Sequence, residues 1–164
     1  MTFSEIFLLI AIIIHKIYFG YNRHMKHYFE QKVYFSDTDA YGVVWHGAYL
    51  RWMEMGRVDY CKSVGYSLTE LEARNILLPV SSINIKYKSS AKLEETVVIE
   101  TEVTEFKGLS ATFTQTIRSK ETGAIHTVAE VIIVAVNSEG KLYRKIPEPL
   151  ASIFNSEVKP VLLT

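Results

Sequence analysis

Cys61 is the only cysteine in the 164 residues. One thiol cannot close an intramolecular disulfide, and no Cys/His cluster has the spacing of a zinc site, so neither a staple nor a metal is expected. The lone cysteine suits a reducing compartment, and a cytoplasmic setting is expected. Charge of neither sign is in excess, with 18 Lys and Arg against 18 Asp and Glu. Without a basic field, nucleic acid is not an expected partner. The GxSxG nucleophile elbow and the GxxxxGK phosphate loop are both missing, which removes two common catalytic scaffolds. Repeats and low-complexity linkers are absent. The longest apolar run, residues 6–14, is well short of the roughly 20 residues that span a bilayer.

What remains is a globular composition, 48% hydrophobic and 22% charged, in a chain long enough for one well-buried core. Residues 1–24 stand apart. They carry the apolar run but lack a basic leader and a small-residue cleavage site. They are read as an extension upstream of a natural start at Met25, in preference to a membrane-surface anchor or a helix packed on the domain. Membrane contact is expected only if they belong to the working protein. Residues 25–146 are read as the domain and 147–164 as a C-terminal segment flagged by Pro147 and Pro149.

Residues 28–36 are dense in aromatic and β-branched side chains and read as a first strand, with Tyr28, Val33 and Phe35 on its half-buried face. Asp37, Thr38, Asp39 and Gly42 end it with turn chemistry. From about Gly47 the period becomes helical: Tyr49, Met53, Gly56, Tyr60 and Val64 recur at threes and fours, widened by Trp52, up to a stop at Gly65. Cys61 falls on the apolar side of this helix as a small buried hydrophobe. Gly56 is either a tolerated residue or a point of close approach. Ser67 and Glu70 have capping-box spacing for a short second helix. Four alternating stretches follow, at 78–87, 96–106, 111–118 and 124–137, joined by turns at Lys107-Gly108 and Thr122-Gly123. The last is apolar on both faces at its centre, as a central strand would be. One long helix against such a meander predicts an α+β layer with the sheet curled around the helix.

Chemistry concentrates where the first strand breaks. Two carboxylates two positions apart, Asp37 and Asp39, read first as turn and capping residues. Three features favour more. A helix begins just downstream, so its free N–H groups and positive dipole end lie near this loop. His46 stands at that helix start and can move a proton near neutral pH. Tyr41, Val43, Val44 and Trp45 are too apolar for a solvated loop and suggest a pocket wall. A carboxylate, N–H donors and an apolar wall are the parts needed to attack an acyl carbonyl. Cys61 and His46 make a poor thiol pair, since fifteen helical positions separate them by about 20 Å. Glu54 is a rival carboxylate, read as an i,i+3 ion pair with Arg57. His126 reads as ordinary surface.

The stretch DTDAYGVVWHGAYLRWMEMGRVDYCKSVG resembles acyl-CoA thioesterases of the 4-hydroxybenzoyl-CoA thioesterase type, with the hotdog fold, nearest the branch associated with the Tol-Pal system. The resemblance spans about residues 28–142 and is strongest over 37–57. It implies an α+β hotdog in which about five antiparallel strands wrap a long central helix, and hydrolysis of an acyl-CoA thioester without metal or cofactor. It makes Asp39 the catalytic carboxylate, as nucleophile or general base, and His46 its catalytic companion, whose backbone N–H polarises the thioester carbonyl. Asp37 would brace the loop, and Tyr41, Val44 and Trp45 would line the substrate pocket. Lys88, Lys107, Ser110 and Arg118 are the candidates for contact with CoA. The family's assembly implies a homodimer or homotetramer with sites between subunits. Two alternatives stand beside hydrolysis: an acyl-thioester dehydratase or hydratase, and a non-catalytic acyl-CoA binding protein.

Overall fold

The fold is taken from a computed structural model that describes residues 26–158. The expectations for residues 1–24 and for a start at Met25 lie outside the described residues. In chain order the elements are β1 (His27–Lys32), a single 3-10 turn (Phe35–Asp37), α1 (His46–Ser63), α2 (Leu68–Ala73), β2 (Val80–Tyr87), β3 (Thr96–Phe106), β4 (Ser110–Ser119), β5 (Ile125–Val134) and α3 (Leu150–Glu157). The strands form one antiparallel sheet in the order β1-β3-β4-β5-β2. The α1 helix lies on one face of that sheet, against β1 and β3. This is the α+β architecture that the residue pattern predicts.

The β3 and β4 alternation survives as expected. Val97, Ile99, Thr101 and Val103 face the helix from β3, and Ala111, Phe113, Gln115 and Ile117 face it from β4. From α1 they meet Ala48, Tyr49, Trp52, Met53, Gly56, Tyr60 and Cys61, all buried. The α1 helix comes close to the sheet at Gly56. A Cβ there would lie 2.8 Å from Ile99 Cγ2 and 2.9 Å from Thr101 Oγ1, so of the two readings close approach is the one that holds. Beside it a buried polar network joins helix to sheet. Gln115 Nε2 donates to the Met53 carbonyl (2.9 Å) and to Thr101 Oγ1 (2.8 Å), while its Oε1 accepts from Arg57 Nη1 (2.7 Å). Every polar atom of the Gln115 side chain therefore has a partner, as burial requires.

Ser67 and Glu70 form the capping box that starts α2. At the other end of the chain α3 turns Leu150 and Phe154 into the same core, with Phe154 edge-on to Phe113.

Two strand expectations are corrected. β1 stops at Lys32, before the chain tightens into the 3-10 turn, so the strand does not run to residue 36. Its inward side carries Phe29 and Gln31, while Tyr28 and Phe35 are exposed. In β2 only Ile85 is partly covered, and Ile83 remains 42% exposed because this is an edge strand that no helix among the described residues roofs. β5 is paired on both sides, as a central strand would be, although it is not the middle of the five. β4 holds that place, and Val128, Ile132 and Val134 on the outer face of β5 are only half-buried.

Candidate active site

The break after β1 folds into a small hairpin at residues 38–44. Thr38 bridges Val44, the Asp39 N–H donates to the Val43 carbonyl (2.9 Å), and the Gly42 N–H closes the turn on the Asp39 carbonyl (3.0 Å). Gly42 sits at φ +72°, a conformation that a side chain resists. Asp39 Oδ1 accepts the Tyr41 N–H (2.8 Å) as an Asx turn. Oδ2 has no protein hydrogen-bond partner among the described residues, and the side chain is exposed. One carboxylate oxygen is thus used to orient the group and the other is free for chemistry.

Asp37, two positions earlier, has the opposite environment. It is 1% exposed, its Oδ2 accepts the Tyr34 N–H (2.9 Å), and its Oδ1 is bound by Arg51 Nη2. Its carbonyl also accepts the Trp45 N–H (3.0 Å). Asp37 therefore ties the loop to the first turns of α1.

That helix begins at His46 behind Trp45, which has extended backbone geometry and no side-chain cap. The N–H groups of His46 and Gly47 lie in the first turn, where a helix has no internal acceptors to offer them. The Trp45 ring meets His46 edge-on at 5.4 Å, and the Tyr87 hydroxyl donates to the His46 carbonyl (3.1 Å). Tyr49 packs edge-on against both Trp52 and Tyr87, fixing the helix start to the end of β2.

The expected pocket residues separate in this single chain. Val44 is buried at 4%, Trp45 is 41% exposed, and Tyr41 is 91% exposed. The expected CoA contacts separate too. Lys88 follows β2, and Arg118 sits near the end of β4, both toward the sheet end that carries the Asp39 hairpin. Arg118 is held there by Glu100 (2.7 Å). Lys107 and Ser110 lie in the β3–β4 turn at the opposite end, with Lys107 paired to Glu105 (3.0 Å).

Glu54 makes no close ion pair with Arg57 of the kind the i,i+3 spacing suggests. Arg57 turns inward to Gln115, and burial lowers its pKa, although the Glu54 charge still opposes the fall. Glu54 is exposed at the rim of an apolar groove of about 440 Å³ lined by Leu50, Cys61, Leu68, Val80 and Ile83 among others. Among the described residues no group of three or more His, Cys, Asp and Glu could hold a metal. No helix there is long and apolar enough to cross a membrane.

His126 is not surface. It is 4% exposed, with Nε2 2.8 Å from Glu95 Oε1 and Nδ1 3.0 Å from Ser89 Oγ. No motif announces this cluster, because His126 lies more than 30 positions beyond the turn that carries Ser89 and Glu95.

A long helix on the face of a five-stranded antiparallel sheet, with a carboxylate hairpin feeding that helix, defines a hotdog fold. A model of the Thioesterase-like superfamily matches residues 33–154, and the chain belongs to that superfamily. It is 32% identical over 123 residues to the acyl-CoA thioester hydrolase YbgC of Escherichia coli O157:H7, spanning 75% of this chain and 91% of that protein. Against the 4-hydroxybenzoyl-CoA thioesterase of Pseudomonas sp. (strain CBS-3) the identity is 26% over 126 residues, spanning 73% and 89%. Among solved structures, the Bartonella henselae protein described as a probable thioesterase superposes with a TM-score of 0.70 at 30% identity, spanning 75% of this chain and all 100% of that one.

Proposed function

We propose that this protein hydrolyses an acyl-CoA thioester to the free acid and CoA, with Asp39 as the catalytic carboxylate. The observation that carries the assignment is the contrast between the two aspartates. Asp37 is spent on structure, whereas Asp39 is exposed, oriented through one oxygen and open at the other. Family membership supports the thioesterase class, and the names of the relatives support acyl-CoA as the substrate class.

In the reaction, an oxygen nucleophile adds to the thioester carbonyl and the C–S bond breaks. CoA leaves as a thiolate and takes up a proton. Asp39 either removes the proton from an attacking water or attacks first and is released by water, and both routes give the same products. The carbonyl oxygen gathers negative charge in between, and the His46 N–H at the uncapped start of α1 is the donor suited to it. In this reading the His46 side chain delivers the proton to the leaving sulfur. Lys88 and Arg118, at the sheet end of the hairpin, are the CoA contacts this reading favours within one chain. Lys107 and Ser110 would serve a site on a neighbouring chain.

The exposure of Tyr41 and Trp45 supports a site completed by a second copy, as a homodimer or homotetramer. The DTDAYGVVWH pattern itself supports placement nearest the Tol-Pal-associated branch, and the reduced lone thiol supports a cytoplasmic setting.

The test is Asp39→Asn, assayed for thiol release across acyl-CoA and acyl carrier protein thioesters. Removing a general base or nucleophile should lower kcat by about 10²- to 10⁴-fold with the fold intact. Turnover near that of the native protein would overturn the assignment. Acyl-CoA consumed without thiol release would point to hydration or dehydration, and tight binding without turnover to a binding protein.

A further inference from the structure

The Asp39 hairpin rests on a second piece of chain, the turn at residues 89–95. The Val44 N–H donates to the Ala91 carbonyl (3.0 Å), and Val43 bridges Lys92. The Ala91 N–H in turn donates to Tyr49 Oη on α1 (2.9 Å). On the other side of the hairpin, the Val33 N–H donates to the Glu95 carbonyl (2.8 Å) and the Glu94 N–H to the Val33 carbonyl (3.1 Å). The same turn therefore holds the chain before Asp37, the chain after Asp39, and the first turn of the helix whose N–H groups face the reaction.

The His126 cluster grips that turn. Glu95 Oε2 accepts the Lys92 N–H (2.9 Å), closing the turn on itself, and Glu95 Oε1 meets His126 Nε2 (2.8 Å). His126 Nδ1 meets Ser89 Oγ (3.0 Å) at the other end of the turn, and Ser89 Oγ also donates to the Ile125 carbonyl (2.9 Å). One buried imidazole on β5 thus ties together both ends of the turn. Burial pushes the Glu95 carboxyl up, but hydrogen bonds from the Lys92 N–H, His126 and Ser119 outweigh it and hold it below its ordinary value. The group facing His126 is therefore a carboxylate. Removing the imidazole would leave its Oε1 without that partner in a poorly solvated place, a costly arrangement.

We propose that His126 and Glu95 are positioning residues for the reaction: by fixing the 89–95 turn, they set the Asp39 hairpin against the start of α1. Neither residue reaches the substrate. The kinetic part rests on the thioesterase reading above, and the structural part does not.

The test uses the full chain with His126→Leu and His126→Gln. Leucine removes both nitrogens. Glutamine keeps an amide N–H donor for Glu95. With His126→Leu, kcat should fall about 10- to 100-fold, the cost of small misplacement, while KM stays within about twofold. Amide hydrogen exchange at Asp39, Val44 and Lys92, whose N–H groups are bonded in the hairpin and turn, should quicken at least about tenfold while exchange in the centre of β4 is unchanged. His126→Gln should recover most of both effects. If His126→Leu does not fold, Ser89→Ala takes its place, with the same pattern at smaller size expected. Hairpin exchange at the native rate in the tested variant overturns the proposal. So does slower turnover carried wholly by KM. Should the native protein release no thiol from any thioester, the thioesterase reading falls, and the exchange rates alone decide whether His126 holds the hairpin.

Discussion

Asp37 and Asp39 differ only in where their oxygens go, and that difference is legible only in part from the sequence. Turn chemistry fits both, and the resemblance chooses between them. The structure adds the physical ground: Arg51 and the Tyr34 N–H take up Asp37, while Asp39 keeps one oxygen without a partner among the described residues. Cys61 shows the reverse case, where the sequence reading holds unaided. It is 4% exposed, and burial pushes its thiol up to about 11, with Arg57 only partly offsetting this. Because the raised pKa disfavours the thiolate, only about one molecule in a thousand would carry it at pH 8. A disulfide-exchange dye at pH 8 should therefore leave the native protein unlabelled over an hour and titrate one thiol per chain after unfolding in guanidinium. Rapid labelling of the folded protein would contradict the burial. His126 was illegible for a physical reason. A histidine beside a turn reads as exposed, and the carboxylate that buries it lies 31 positions away in sequence.

At the scale of elements, the helix and the two middle strands follow from periodicity because each has one face in the core and one face out. The α1 stripe and the β3 and β4 alternations are readable for that reason, whereas the role of Gly56 is decided only by its closeness to Ile99 and Thr101. Glycine costs a helix interior about 1 kcal/mol relative to alanine, so a Gly56→Ala change would gain that much in propensity. The added methyl would press on Ile99 Cγ2 and Thr101 Oγ1, both on buried sheet residues, and on the Gln115 amide at 3.3 Å. Overpacking of this kind costs about 1–3 kcal/mol, so the net expectation is a loss of about 1 kcal/mol. Denaturant unfolding should show a lower midpoint for Gly56→Ala with an unchanged slope. Equal or greater stability would mean that the helix can lift off the sheet freely. β1 was misread because the rule of alternation needs a continuous strand. The chain leaves the sheet at Lys32 and turns into the 3-10 segment, so counting along the strand places Val33 rightly in the core but fails at Phe35, which is exposed.

The whole molecule explains the remaining mismatch, in β2. Ile83 and Ile85 alternate as inward residues should, opposite buried Val131 and Ala129 on β5, yet Ile83 is 42% exposed. The sequence encodes a buried face that the described residues do not bury. Around it stand Leu50 at 37%, Leu68 at 46% and Val80 at 40% exposure, rimming the groove of about 440 Å³. An uncovered apolar face beside an open strand edge is an association surface. A second copy can meet it with the same surface about a twofold axis, strand edge to strand edge. The groove begins at Leu50 and Arg51, about one helical turn from His46, so a partner seated there also lies close to the Asp39 hairpin. Oligomerisation and activity should therefore fail together. Ile83→Asp places a charge on the face that would be buried, and in the isolated chain, where this position is already half open, it should cost little stability. Sedimentation equilibrium should find the native protein dimeric or larger and Ile83→Asp monomeric. Thiol release by the variant should drop at least about tenfold, since a site formed between chains loses half its walls. A monomeric native protein, or a monomeric variant with full turnover, would mean that the active site is complete in one chain and that the β2 face serves something else.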